Sequence, residues 1–120
     1  MSMEIYKEFG FESAHRLPNL PENHKCSRMH GHSFRARVFV GGEVGEESGW
    51  VMDFADISAV CDPVRDELDH RVLNEIEGLE NPTSEVLARW IFRRLRGDLE
   101  GLSAVEVSET CSSGCRYVEG

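Results

Sequence analysis

Between positions 30 and 40 the chain reads HGHSFRARVFV, and two sets of side chains alternate along this segment. One set is mainly apolar and the other mainly polar or small. Because successive side chains of a strand point to opposite faces of its sheet, this period of two predicts a strand with one face in the core. The core face would carry His30, His32, Phe34, Ala36, Val38 and Val40, and the opposite face Gly31, Ser33, Arg35, Arg37 and Phe39.

The same period predicts an earlier strand over residues 6–15. Phe9 and Phe11 alternate there with glutamates and a glycine, which places His15 on the phenylalanine face. Residues 16–29 are rich in proline and polar residues and indicate a long loop.

Two more strands are predicted near the C-terminus. Val105, Val107 and Glu109 share one face of the first, and residues 116–118 form a short last strand. Cys111 and Cys115 flank a Ser-Ser-Gly turn between the two strands.

The middle of the chain has helical spacing. A first helix is indicated by Ile57, Val60, Val64 and Leu68, although Pro63 should kink or break it. A second helix begins after Thr83, a plausible N-cap, and Gly97 ends it. Its apolar face consists of Val86, Leu87, Trp90, Ile91 and Leu95.

This order of elements, β-β-α-α-β-β, predicts an α+β fold in which two helices cover one face of a four-stranded antiparallel sheet. A length of 120 residues fits a single domain spanning 1–120. An open sheet has two unpaired edges, which favours assembly into a symmetric homo-oligomer.

Composition and charge exclude several classes of function. The chain carries 22 acidic and 13 basic residues, a net charge of −9, which argues against binding to nucleic acid. It has neither an apolar run long enough for a membrane span nor the pattern of a signal peptide. We therefore expect a cytoplasmic protein whose four cysteines are reduced.

The strongest chemical signal is the pair His30 and His32, which project from one face of the same strand. If the strand ending at His15 pairs with this one, three imidazoles converge at one end of the sheet. Three neutral histidines are the ligands of an open catalytic zinc site. The alternative is a set of half-buried histidines that only make hydrogen bonds.

Cys26 lies four residues before His30, and two interpretations of it remain open. It could be the fourth ligand of a closed structural zinc site. Alternatively, it could lie just outside the metal shell as a thiolate base, favoured by the positive charge of Lys25, Arg28 and the metal.

Two further groups are candidates for acid–base catalysis or ligand binding. Asp69 and His70 follow the first helix, either as surface charge at a helix end or as an imidazole oriented by a carboxylate for acid–base work. Glu109 stands on the apolar face of its strand, where a carboxylate needs a partner such as the N–H groups of a ligand. A solvent-exposed strand end is the alternative for Glu109.

Six segments stand out along the chain: FESAHRL, CSRMHGHSF, GWVMDF, LDHRVLN, NPTSEVLARWI and SETCSSGC. Together they resemble the 6-pyruvoyltetrahydropterin synthase family, and within it the bacterial branch of 6-carboxy-5,6,7,8-tetrahydropterin synthases in the queuosine pathway. The resemblance extends over essentially the whole chain.

The resemblance implies the tunnelling fold, in which three β-β-α-α-β-β units form a twelve-stranded barrel and two trimers stack into a hexamer. Arg35 and Arg37 would then line the barrel lumen, and the active sites would lie between subunits. The implied reaction converts 7,8-dihydroneopterin triphosphate into 6-carboxytetrahydropterin, acetaldehyde and triphosphate.

Individual residues also receive roles from the resemblance. It implies that His15, His30 and His32 hold a zinc ion and that Cys26 is the base that abstracts a proton. Asp69, His70 and Glu109 would relay protons, and Glu109 would also anchor the pterin with help from Thr83 and Ser84. Two alternatives remain: a 6-pyruvoyltetrahydropterin synthase that leaves the side chain intact, and a zinc-stabilised pterin-binding scaffold without catalysis.

Overall fold

The computed structural model describes residues 3–109 and 112–119 and shows one four-stranded antiparallel sheet covered by two helices. The predicted order of elements and the α+β class are confirmed. The strands lie side by side in chain order. They are β1 (Met3–His15), β2 (His30–Gly42), β3 (Leu102–Ser108) and β4 (Cys115–Tyr117); the helices are α1 (Phe54–Leu68) and α2 (Ser84–Leu95), and two 3₁₀ turns lie at Lys25–Ser27 and Leu73–Glu75.

The predicted alternation on β2 is confirmed by burial. Its core face is closed to solvent from Phe34 to Val40, whereas Arg35 and Arg37 are exposed on the other face. β1 pairs with β2 over the full length of both strands, from Met3 opposite Gly42 to His15 opposite His30. The long ladder therefore fixes which side chains meet at the His15 end of the sheet.

Of the kink or break predicted at Pro63, the break is wrong, because α1 continues through this residue to Leu68. Proline removes one N–H donor, so the carbonyl of Ala59 loses its helical partner. Both Ala59 and Pro63 are exposed, and water can satisfy that carbonyl. The buried side, which includes Cys61 and Val64, keeps the helix on the sheet.

The N-cap of α2 is confirmed at Thr83, whose hydroxyl accepts a hydrogen bond from the Val86 N–H at 3.1 Å. The helix ends at Leu95, two residues before the predicted Gly97. α1 packs against β1, and α2 packs against β3 and β4. Both helices therefore cover the same face of the sheet, and its other face is left with polar and aromatic side chains.

Side chains on the uncovered face of the sheet make cation–π contacts and ion pairs with one another. The Arg37 guanidinium lies 4.8 Å from the centre of the Tyr6 ring, and that of Arg116 lies 4.5 Å from the centre of Phe39. Arg37 also donates to Glu8 at 3.0 Å. As predicted, β1 and β4 form the two edges of the sheet in the described chain.

The cysteines of the described residues are free thiols. Cys61 is buried in the core, while Cys26 and Cys115 are half-buried. Cys111, which was predicted to flank the last turn together with Cys115, lies outside the described residues. Neither helix among these residues is long and apolar enough to cross a membrane.

Candidate metal and catalytic site

The pairing of β1 with β2 brings three histidines together at one end of the sheet. His15 stands directly opposite His30, and His32 follows two residues later on the same face. The ring centres are 4.7 Å apart for His15 and His30, 4.8 Å for His30 and His32, and 5.2 Å for His15 and His32. One ring nitrogen from each lies within 4.8 Å of the other two. The convergence predicted from the alternation is confirmed.

Backbone carbonyls orient two of these rings. The Nδ1–H of His15 donates to the Pro82 carbonyl at 2.8 Å, and that of His30 donates to the Arg28 carbonyl at 2.7 Å. A carbonyl can only accept, so Nδ1 must carry the proton in both rings. In the neutral ring, Nε2 then presents its lone pair, which is the atom a metal binds.

The buried His15 gives a direct test of whether a metal fits. Its side chain is only 1% exposed, and its Nε2 has no hydrogen-bond partner. Burial lowers the pKa of His15 against the opposing effects of the Pro82 hydrogen bond and of Glu109, which favours the neutral ring. An unpaired buried nitrogen is costly, and a cation shared with the other two rings would satisfy it. The donor set therefore fits a zinc ion with an open coordination position.

Glu109 lies at the rim of this cluster, just beyond the end of β3. Its carboxylate oxygens are 3.4 Å from His32 Nε2 and 3.9 Å from His15 Nε2. The hydroxyl of Ser84, at the start of α2, donates to Glu109 Oε1 at 2.9 Å. The carboxylate is 26% exposed, so it remains accessible to a ligand. Sheet and helix thus place one acceptor beside the histidines.

The hydroxyls of Thr83 and Ser84 make hydrogen bonds to different partners. The Thr83 hydroxyl is engaged as the helix cap, and the Ser84 hydroxyl is engaged with Glu109. Ser84 therefore contributes to the site by its hydrogen bond to the Glu109 carboxylate.

Cys26 lies in the 3₁₀ turn that precedes β2. Its N–H donates to Nδ1 of His24 at 3.1 Å, and its carbonyl accepts from the Leu17 N–H at 2.8 Å. Among the described residues, the group able to share a metal consists of the three histidines and does not include the Cys26 sulfur. This placement favours the interpretation of Cys26 as a base over that of a fourth ligand.

Asp69 and His70 form a separate pair at the end of α1. The Asp69 Oδ2 lies 2.9 Å from His70 Nδ1, and Asp69 Oδ1 accepts the Glu12 N–H at 2.8 Å. That backbone hydrogen bond, followed by the one with His70, lowers the pKa of Asp69. The carboxylate therefore stays ionised and holds the imidazole.

The His70 side chain is 78% exposed, in contrast to the cluster. Its backbone has a φ of 57°, a left-handed conformation that is uncommon outside glycine. The His70 N–H donates to the Glu12 carbonyl at 2.6 Å, which ties this turn to β1. Glu12 precedes His15 by three residues, about 10 Å along a strand. The structure thus places this imidazole on the surface, away from the histidine cluster.

Several groups at the site escaped prediction. The carbonyls of Pro82 and Arg28 orient two histidines, but a main-chain acceptor leaves no mark in the choice of side chain. The exposed ring of His24 caps the turn that carries Cys26.

Comparison with known proteins relates nearly the whole chain to one family. The family model described as 6-pyruvoyl tetrahydropterin synthase matches residues 4–120. The chain is 52% identical to the 6-carboxy-5,6,7,8-tetrahydropterin synthase of Synechocystis sp., in an alignment covering 94% of this chain and 91% of that protein. It is 40% identical to the dihydroneopterin monophosphate aldolase of Pyrococcus furiosus, over 84% of this chain and 82% of that protein.

A solved structure has the same fold. The 6-pyruvoyl tetrahydropterin synthase of Caenorhabditis elegans superposes with a TM-score of 0.91 at 28% identity, covering 100% of this chain and 97% of that one.

Proposed function

The chain belongs to the 6-pyruvoyl tetrahydropterin synthase family, and from this premise we propose that it is a zinc-dependent 6-carboxy-5,6,7,8-tetrahydropterin synthase of queuosine biosynthesis. It would convert 7,8-dihydroneopterin triphosphate, with uptake of water, into 6-carboxytetrahydropterin, acetaldehyde and triphosphate. The observation that carries the proposal is the meeting of three convergent histidines with the Glu109 carboxylate at one end of the sheet.

His15, His30 and His32 would hold the zinc ion. When bound, zinc supplies Lewis-acid chemistry that acidifies neighbouring C–H and O–H groups of the substrate. The Nδ1–H hydrogen bonds of His15 and His30 fix the orientation of these rings and leave Nε2 as the atom aimed at the shared position.

Glu109 would anchor the pterin by accepting hydrogen bonds from its ring N–H groups. A carboxylate is the strong acceptor for such donors, and Ser84 fixes one of its oxygens. The second oxygen then remains for the ligand. Thr83 would contribute by holding the start of α2 in place.

Cys26 would remove a carbon-bound proton as a thiolate, and His70 would hold or return a proton. The His70 Nδ1–H donates to Asp69, which leaves Nε2 exposed as the working atom. Arg16, Lys25 and Arg28 are exposed on the same loop as Cys26 and give it a positive character suited to a triphosphate.

The assembly we propose is a homohexamer made of two trimers, with three sheets closing into a twelve-stranded barrel. The edges at β1 and β4 are available for this pairing, and Arg35 and Arg37 would face the lumen. The exposure of His70 fits an active site completed between subunits, in which this imidazole serves a neighbouring chain. Residues 1–120 would act as one domain in it.

Product analysis tests the proposed reaction. Zinc-loaded protein is incubated anaerobically with 7,8-dihydroneopterin triphosphate, followed by mass spectrometry of the pterin and an assay for acetaldehyde. We expect a 6-carboxy pterin together with acetaldehyde.

Other outcomes would each identify an alternative. A 6-pyruvoyl product without acetaldehyde would indicate triphosphate elimination alone. Cleavage of dihydroneopterin monophosphate in a parallel incubation would indicate the activity named for the Pyrococcus relative. Absence of turnover with zinc bound would indicate the non-catalytic scaffold.

A further inference from the structure

Asn74 makes an unusual set of hydrogen bonds in the segment LDHRVLN, where only Asp69 and His70 have been given roles. Its side-chain Oδ1 accepts the Arg16 N–H at 2.9 Å, and its Nδ2 donates to the Arg16 carbonyl at 2.8 Å. The second Nδ2 hydrogen goes to the Glu80 carbonyl at 3.3 Å. The side-chain amide thus pairs with both polar groups of one backbone residue, as a neighbouring strand would.

The clamped residue lies between two parts of the proposed site. Arg16 directly follows His15, the buried member of the histidine cluster. The next residue, Leu17, donates its N–H to the carbonyl of Cys26 at 2.8 Å. A continuous path therefore runs from Asn74 through two backbone residues to Cys26.

The loop that carries Cys26 has few other anchors outside itself. Its backbone hydrogen bonds, such as those from His24 to Pro21 and from Arg28 to Lys25, join residues of the same loop. The two bonds to Asn74 instead connect the loop to the 3₁₀ turn Leu73–Glu75, which follows α1 in the chain. Two parallel bonds to one residue fix the orientation of its backbone as well as its distance.

We infer that Asn74 is a positioning residue, which sets the place of Cys26 relative to the histidine cluster through the backbone of Arg16 and Leu17. The inference rests on the proposed role of Cys26 as the base. Proton abstraction depends on placement, and a displacement of about 1 Å can cost about 100-fold in rate. The side-chain bonds of Asn74 go to the backbone of Arg16 and Glu80, and from Arg16 the connection continues through Leu17 to Cys26.

Two substitutions separate the parts of the clamp. Asn74→Ala removes every side-chain bond. Asn74→Asp keeps the size and the acceptor for the Arg16 N–H, but it sets a carboxylate oxygen against the carbonyls of Arg16 and Glu80. We expect both variants to lower kcat by about 10- to 100-fold with little change in KM.

Glu80→Ala is the matched control in the same region. The Glu80 side chain accepts the Gly78 N–H at 2.8 Å, and its removal loosens that turn without touching the bonds between Asn74 and Arg16. This variant should keep the kcat of the wild-type protein.

The decisive readout is the alkylation of Cys26, which needs no substrate. Zinc-loaded full-length proteins are treated with iodoacetamide, and the rate at each cysteine is followed by peptide mass spectrometry. Cys61 is the internal reporter of unfolding, because it is 2% exposed and burial raises its pKa to about 11. Both Asn74 variants should show several-fold faster alkylation of Cys26, unchanged protection of Cys61 and unchanged zinc content.

Two results would overturn the inference. If Cys26 and Cys61 become reactive together, Asn74 stabilises the fold as a whole. If the alkylation of Cys26 and kcat both stay at wild-type values, the clamp does not position the loop. Failure of the proposed function is distinguishable, because a wild-type protein without turnover still yields the alkylation comparison.

Discussion

The histidine cluster and the Asp69–His70 pair place imidazoles in sharply different surroundings. In the histidine cluster, His15 is 1% exposed, and its ring and that of His30 are locked by main-chain carbonyls. In the Asp69–His70 pair, the imidazole is 78% exposed and is held at one nitrogen by a carboxylate. The cluster is assembled within one chain, whereas the pair points away from that chain.

This difference matches two kinds of chemistry. Metal binding requires several lone pairs aimed at one position, which β1 and β2 provide through their register. Proton transfer requires a single ring with one nitrogen held and the other accessible. We interpret the cluster as the metal centre of its own chain and the Asp69–His70 pair as a contribution to a site on a neighbouring chain.

The largest effect should come from removing a member of the cluster. His30→Ala should lose zinc and all measurable turnover. Removing a group that only orients a metal ligand lowers metal affinity by about 10- to 100-fold, and removing the ligand itself should lower it further. His70→Ala is the matched control and should retain zinc. Metal analysis after dialysis measures the zinc content of both variants. Equal zinc loss would contradict the assignment of metal binding to the cluster and not to the Asp69–His70 pair.

His70→Ala should lower kcat by about 100- to 10,000-fold, the range for loss of a general acid or base. Mixing it with Cys26→Ala under conditions that exchange subunits tests the contribution to a neighbouring chain. If Cys26 and His70 come from different chains, random mixing restores activity in about a quarter of the sites. If both come from one chain, every mixed assembly stays inactive.

Glu109→Gln should weaken pterin binding by about 10- to 100-fold, corresponding to about 1.5–3 kcal/mol for hydrogen bonds to a charged group. Ser84→Ala should have a smaller effect, because it removes only the bond that orients the carboxylate. Fluorescence titration with a non-reactive pterin measures the affinity, and zinc content should not change in either variant. Unaltered binding by Glu109→Gln would remove the anchor role.

The smallest effect concerns the stability of the Asp69–His70 pair. The pKa of Asp69 is lowered from its ordinary value of 3.8 by the Glu12 N–H and then by His70. A carboxyl group with a lowered folded-state pKa stabilises the fold above its ordinary pKa and loses that contribution as pH falls through the lowered value. Asp69→Asn should therefore destabilise the protein at about pH 7, and the difference should shrink below about pH 4. Denaturant unfolding at both pH values measures it, and a difference independent of pH would contradict the assignment.

Much of the fold and of the histidine cluster could be predicted because both depend on side-chain alternation. The period of two on β2 fixes the face of His30 and His32, and the loop before it returns the chain so that His15 lies alongside. The helix through Pro63 was not predictable in this way, since the proline lies on the exposed side of α1.

Other features depend on contacts between distant parts of the chain. The Pro82 carbonyl reaches His15 across 67 positions, and Asn74 reaches Arg16 across 58. The exposure of His70 likewise follows from a left-handed turn tied to β1. No local pattern encodes these contacts, because each depends on how separate elements pack together.

Zinc content and turnover of Cys26→Ala test the central claim most directly, because they separate an open catalytic centre from a closed structural one. Among the described residues, the three histidines are close enough together to hold a metal without the Cys26 sulfur, so the variant should bind as much zinc as the wild-type protein and form no product. A variant that loses its zinc along with its activity would show that Cys26 is a ligand and would contradict this account.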